Sequence, residues 1–178
     1  HHFGGDAVFV YRLAHALADR GHEVDVVHSE DAFVALSDQP PAAGYAEHEG
    51  VRRFALRSPL KALELLTVQQ SGRPFSHRKV LSEVFRPGRY DVVHFHNVSL
   101  LGAPELLGWS ERTDAVTLYT LHEHWLVCPM HVLWRFDREP CASQTCIRCQ
   151  LAGKRPPQLW RYLGARDRGV GKVDAFLA

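Results

Sequence analysis

The stretch FGGDAVFVYRLAHALADRGHEVDVVH, residues 3–28, decides the fold class. Apolar residues at spacings of three and four predict one face of a helix: Phe9, Leu13, Ala16 and Leu17. Gly21 suits the end of that helix, and the Val-rich residues 23–28 predict a strand. A glycine pair, a helix, a glycine and a strand in this order form the second half of a βαβ unit.

The alternation of strands and helices continues along the chain. Further strands are predicted over residues 51–56, 90–96, 115–122 and 173–178, and helices from residues 59, 77 and 103 and over residues 158–166. Residues 29–50 show no sustained period and predict a long loop. Several strands are apolar on both faces, as in a parallel sheet covered on both sides. The predicted fold is α/β, a doubly wound, mostly parallel, Rossmann-like sheet.

Composition excludes several classes of protein. The chain has 178 residues, 46% of them hydrophobic, and a formal net charge of +1. Such a balance creates no basic field for nucleic acid, so no nucleic-acid partner is expected. The sequence has neither a long apolar run nor a signal-peptide pattern, which predicts a cytoplasmic protein. Residues 1–178 are expected to form a single domain that lacks its first strand, because the glycine pair has no strand before it.

In doubly wound sheets, ligands bind beyond the carboxyl ends of the strands. The residues found there are His28, then His96 with Asn97, then His122 with Glu123. His96, Asn97 and the following Ser99 offer hydrogen bonds to a hydroxyl-rich ligand.

Several histidines near these strand ends also have a plainer interpretation. His122 is the candidate catalytic residue, since imidazole chemistry suits work near neutral pH; the alternative is a histidine satisfied by loop carbonyls. His94 is expected to be a core histidine bonded to a neighbour, with a metal pair of His94 and His96 ranked last. His124 and His131 are expected to be ordinary loop residues.

The glycine pair Gly4 and Gly5 precedes the first predicted helix. Glycines there let a phosphate approach free helix amides, although a tight turn needing positive φ explains them equally well. The full G-x-G-x-x-G spacing of dinucleotide-binding proteins is absent.

All four cysteines of the chain lie within one stretch of 22 residues. They are spaced C-x12-C-x4-C-x2-C: Cys128, Cys141, Cys146 and Cys149. Four thiolates including a C-x2-C pair suit a closed tetrahedral zinc site. The alternatives are free thiols or a labile disulfide between Cys146 and Cys149. We expect a structural zinc ion that ties down a Cys-rich loop over residues 123–150.

Together these motifs resemble the N-terminal domain of retaining glycosyltransferases of the GT-B fold, family 4. The resemblance rests on residues 3–28, on YDVVHFHNVSLLG at 90–102, and on TLHEHWLVCP at 120–129 followed by C-x4-C-x2-C. VDAFLA at 173–178 resembles the strand that leads to the interdomain linker in that family. The motifs occur in the family's order over nearly the whole chain.

The resemblance implies an acceptor-side domain, whose nucleotide-sugar donor binds to a C-terminal Rossmann-like domain not included in these residues. It assigns Gly4 and Gly5 to the donor phosphate and His122 to the reacting sugar. Glu123 stands where many members have Asp. Transfer would need no catalytic metal, the acceptor would be a saccharide or a lipid-linked molecule with peripheral membrane association, and this chain alone would be inactive.

Two other functions stay open on the sequence alone. One is a non-catalytic interaction module in which the four-cysteine loop presents a partner surface. The other is a sugar-nucleotide epimerase of related fold. Fold analogy does not separate these from a glycosyltransferase.

Overall fold

The computed structural model describes residues 4–37, 46–141 and 145–162. The chain divides into two compact units, one ending at Leu66 and the other beginning at Thr67, and each is described by itself. The strand predicted over residues 173–178 lies outside the described residues, as does the end of the helix predicted over 158–166. Of that helix, the described part is a short 3₁₀ turn, Leu159–Arg161.

Helices and strands alternate through most of both units. The helices are α1 Gly4–Ala18, α2 Glu30–Ser37, α3 Ala62–Ser71, α4 Arg78–Val84, α5 Glu105–Ser110 and α6 Cys146–Ala152. The strands are β1 Val24–Ser29, β2 Val51–Leu56, β3 Val92–His96, β4 Val116–Thr120, β5 Trp134–Arg135 and β6 Glu139–Pro140. The predicted α/β class is confirmed.

The first unit contains a parallel pair, β1 and β2, in register from Val24 opposite Val51 to Ser29 opposite Leu56. The directly opposed Asp25 and Arg52 form an ion pair of 2.7 Å across this pair. The parallel arrangement brings the carboxyl ends of β1 and β2 to the same edge.

In the second unit, β3 and β4 form another parallel pair, in register from Val92 opposite Val116 to His96 opposite Thr120. Phe95 is buried on one face of β3, where its ring stacks on Phe85 at 5.9 Å and meets Tyr119 edge-on at 6.2 Å. Phe85 also packs edge-on against Trp109 of α5. This aromatic cluster attaches β3 to α4 and α5 and leaves the opposite face of the strand to its histidines.

The predicted loop over residues 29–50 is wrong in its first part, because α2 begins directly after β1. Ser29 Oγ accepts a hydrogen bond of 3.1 Å from the amide of Ala32 and so caps the helix. Glu30 is buried and paired with Arg57, and Asp31 accepts the amide of Ser58. These pairs join α2 to residues about 27 positions away, which no local period reveals.

Three smaller expectations also need correction. The glycine pair is not a turn before α1, since the helix already begins at Gly4. The helix predicted from residue 59 starts at Ala62, because Lys61 has a left-handed backbone with φ of 43°. The strand predicted as buried over residues 115–122 is β4, but its Val116 and Leu118 side chains are 60% and 45% exposed. Within the described residues, β4 is therefore not covered on both faces.

Residues 123–150 contain more regular structure than the predicted loop. β5 and β6 form a short antiparallel hairpin in which Trp134 faces Pro140. The C-x2-C pair lies on α6 and is not in a turn. The hairpin turn uses left-handed backbone at Phe136 and Asp137, with φ of 56° and 55°.

Candidate functional site

Three histidines meet at the carboxyl ends of β3 and β4 in the second unit. His94 and His96 alternate with Phe95 and therefore point to the face of β3 opposite the aromatic cluster. The rings of His94 and His96 lie 4.1 Å apart, and those of His96 and His122 lie 5.2 Å apart. His96 ends β3 and His122 follows β4 by two residues, so these two strand-end histidines lie side by side.

A hydrogen bond of 2.9 Å joins His96 Nδ1 to His122 Nε2. One of these two nitrogens must donate and the other accept, so the contact requires at least one unprotonated nitrogen. His122 lies beyond the end of β4 and is exposed, whereas His96 on the strand is partly buried. The hydrogen bond with His96 thus constrains the orientation of the more accessible ring of His122.

His94 belongs to the same cluster and is bonded to a neighbour, as the sequence predicts. Its Nε2 lies 2.7 Å from Thr120 Oγ1, across the β3–β4 pair. Partial burial lowers the pKa of His94, and the nearby charge of His122 lowers it further. His94 therefore stays neutral at pH values where an ordinary histidine begins to take up a proton.

Glu123 makes a side-chain contact that the sequence does not reveal. Its Oε1 lies 2.6 Å from His131 Nδ1. The same carboxylate adds to the effect of burial in raising the pKa of Tyr119 to about 12, with burial the larger cause. This contact joins Glu123, in the turn after β4, to the loop residue His131.

The turn after β3 carries the other predicted ligand-binding residues. Asn97 has a left-handed backbone with φ of 43° and ends the strand, and Ser99 follows in a turn that is partly buried. Gly102, with φ of 114°, closes this turn and lies against the backbone of residues 73–74. A Cβ added at Gly102 would lie 2.2 Å from the Pro74 nitrogen. The backbone at residues 73–74 therefore fixes the turn that presents Asn97 and Ser99.

The segment after His122 is held by two buried tryptophans. The rings of Trp125 and Trp160 lie 5.7 Å apart, and the Arg161 guanidinium stacks over Trp160 at 4.4 Å. Arg161 also donates to the carbonyl oxygens of Trp125 and Leu126. No sequence pattern predicts that Trp160 and Arg161 hold this segment, because they lie about 35 residues further along the chain.

Two predicted site residues and one strand-end histidine belong to the first unit. Gly4 and Gly5 begin α1, and Gly5 is exposed with open space where a Cβ would lie. Amides in the first turn of a helix have no intrahelical partner, so this turn can still approach an anion. His28, near the end of β1, has a pKa lowered mainly by burial.

The four cysteines converge although they come from four points of the sequence. Cys128, Cys141, Cys146 and Cys149 all line one cavity of about 20 Å³, and none forms a disulfide. Burial is the main cause that raises the pKa of Cys146, followed by the thiols of Cys141 and Cys128. Within residues 4–37, 46–141 and 145–162, no group of three or more His, Cys, Asp or Glu side chains is arranged to hold a metal ion. The zinc site stays a prediction.

Parallel strand pairs, intervening helices and polar side chains beyond the strand ends define a Rossmann-like α/β protein. The chain belongs to Glycosyltransferase Family 4, whose family model matches residues 3–145. It is thus a GT-B glycosyltransferase N-terminal domain, a class that acts on sugar donors and acceptors. Neither the curated proteins nor the solved structures contain a match. Among the described residues, no helix is both long and apolar enough to cross a membrane.

Proposed function

We propose that this chain is the acceptor-side half of a retaining glycosyltransferase, which moves a sugar from a nucleotide-sugar donor to an acceptor hydroxyl. The observation that carries the proposal is the hydrogen-bonded pair of His96 and His122 at adjacent strand ends. Family membership favours transfer over the epimerase and interaction-module alternatives. The proposal includes a cytoplasmic location and a saccharide or lipid-linked acceptor, with peripheral membrane association in the second case.

In the proposed reaction, the acceptor oxygen forms a bond to the anomeric carbon of the sugar, and the bond from that carbon to the diphosphate breaks. The acceptor proton passes to the departing diphosphate oxygen, which balances the step. Attack occurs on the face from which the diphosphate leaves, so the configuration is retained. His122 donates a hydrogen bond to the reacting sugar and holds it in position. Gly4 and Gly5, in the first unit, are assigned to the donor phosphate.

Asn97 and Ser99 act on the acceptor, and Glu123 supports the site. Asn97 and Ser99, in the turn after β3, suit hydrogen bonds to sugar hydroxyls because amides and hydroxyls both donate and accept. Glu123 orients the turn after β4 through His131. No resident catalytic metal is needed in this scheme, because amides and hydrogen-bond donors stabilise the departing charge.

The reaction class is tested by incubating the enzyme that contains this chain and its donor-binding domain with nucleotide sugars and hydroxyl acceptors. Product analysis by mass spectrometry and NMR should show a new glycosidic bond with the donor's anomeric configuration and release of the nucleoside diphosphate. An inverted product would contradict retention, and transfer by the purified 178-residue chain alone would contradict the assignment to one half of the enzyme.

We assign His96 as a positioning residue that acts through His122. Replacing it with Ala should lower kcat by about tenfold to a hundredfold with little change in KM, because a misoriented group loses catalytic effect. Asn places an amide near the position of Nδ1, so His96→Asn should recover part of the loss. A rise in KM with unchanged kcat would instead make His96 a direct substrate ligand and overturn the positioning role.

A further inference from the structure

We propose that Cys128, Cys141, Cys146 and Cys149 bind one structural zinc ion that closes the segment following the histidine cluster. The proposal does not depend on the glycosyltransferase reaction. Its basis is that all four cysteines of the chain line the same small cavity, although up to 20 residues separate them along the sequence.

The size of the cavity suits an ion and not a substrate. It measures about 20 Å³, slightly more than the space one water molecule occupies by the same kind of measure. Its other lining residues are Pro129, Met130, Trp134, Arg135 and Thr145. A sugar or nucleotide needs a pocket of hundreds of Å³, so the cavity admits only a single ion or a water molecule.

Backbone hydrogen bonds fix where the cysteines stand. The Cys128 amide donates to the His124 carbonyl at 2.7 Å, and the Cys141 amide donates to the Leu133 carbonyl at 2.9 Å. Cys146 and Cys149 lie three positions apart on α6 and so share one face of the helix. The thiols thus come from a turn, a hairpin and a helix, which are the elements that a structural zinc would join.

Two polar groups beside the cavity suit thiolate sulfur. The Phe136 amide donates to Cys149 Sγ at 3.5 Å, which is the kind of supporting bond that metal ligands receive. Thr145 Oγ1 is buried and has no hydrogen-bond partner among the described residues. A thiolate is a stronger hydrogen-bond acceptor than a neutral thiol, so metal binding would favour such donors beside the cavity.

Charge also favours the site. Four thiolates and one Zn²⁺ carry a net charge of about −2. The Arg135 guanidinium lines the cavity, and the Arg161 guanidinium acts electrostatically on Cys146. Arg135 also pairs with Glu139 at 2.7 Å, so its charge is shared between that carboxylate and the site.

The thiols are not yet in metal-binding geometry among the described residues, so binding requires them to close on the ion. Each cysteine has a single side-chain torsion with three staggered positions, and Cys141 is exposed and offers an entry path. Neutral thiols do not attract one another, and the shared ion supplies the attraction. The ion would then fill the cavity, bound to the four sulfur atoms at about 2.3 Å.

Metal analysis of the purified chain, prepared without chelator, tests the proposal. It should contain about one zinc ion per chain, and a mercurial reagent that caps thiols should release it. The variants Cys141→Ser and Cys149→Ser should lose most of the zinc. Met130→Leu is the matched control, since it changes the cavity lining without removing a thiol, and it should keep the ion.

Two measurements use the wild-type protein, so they do not depend on whether the cysteine variants fold. Cobalt substitution should give the visible absorption of a tetrahedral thiolate site. Thiol titration of the denatured, metal-free protein should find four free thiols. Two thiols would reveal a disulfide, and a folded protein with four thiols and neither zinc nor cobalt uptake would leave the cysteines as free thiols. Either result would overturn the proposal.

Discussion

Gly102 shows how one residue holds the turn that carries Asn97 and Ser99. Its φ of 114° lies in a region that residues with a Cβ rarely adopt, and an added Cβ would lie 2.7 Å from the Arg73 carbonyl carbon. Both the backbone angle and the space therefore require glycine. The sequence shows a glycine after a strand, but it does not show that the chain at residues 73–74 returns to this point.

Gly102→Ala should therefore lower the free energy of unfolding by about 3 kcal/mol or more, from backbone strain and the clash together. Gly88→Ala is the matched control, because Gly88 has φ of 71° but open space around it. It should cost only about 1–2 kcal/mol, the price of a left-handed backbone. Urea unfolding measures both, and equal losses would contradict the close approach of residues 73–74.

At the scale of elements, the sequence predicted those strands and helices that depend on residues close together in the chain. His94 and His96 share one face of β3, because strand geometry has a period of two. The helix α2 was missed because its stabilising partners, Arg57 and Ser58, are remote in sequence. The contact of Glu123 with His131 was missed for a related reason: it depends on the path of an irregular turn.

The aromatic cluster should be the main attachment of β3 to its helices. Phe95→Ala should lower the free energy of unfolding by about 3–5 kcal/mol, because it removes a buried ring and leaves a cavity. Val116→Ala on the exposed face of β4 should cost less than about 1 kcal/mol. Thermal or denaturant unfolding compares the two, and a small loss for Phe95→Ala would show that the cluster does not hold the strand.

At the scale of the whole molecule, each unit contains a histidine whose pKa is lowered, mainly by burial: His28 in the first and His94 in the second. A lowered pKa means that the folded state binds fewer protons than the unfolded state. The stabilisation is therefore fully present above the ordinary histidine pKa of about 6.5 and is lost as the pH falls below it.

Stability should thus fall between pH 7 and pH 5, and replacing His28 with Gln should flatten this dependence. His22→Gln is the control, since His22 is exposed in the turn before β1. Unfolding free energies measured across this range give the comparison. A stability that rises on acidification, or an unchanged slope in His28→Gln, would contradict the effect of burial.

The central claim is that His122 serves sugar transfer, and turnover of the intact enzyme tests it most directly. With the nucleotide sugar and acceptor identified by product analysis, His122→Ala should lower kcat by about a hundredfold or more, as the loss of a well-placed donor does. The same variant should keep the wild-type free energy of unfolding within about 1 kcal/mol, because His122 is an exposed residue. The control His22→Ala should keep full turnover. Wild-type turnover by a folded His122→Ala enzyme would contradict the account.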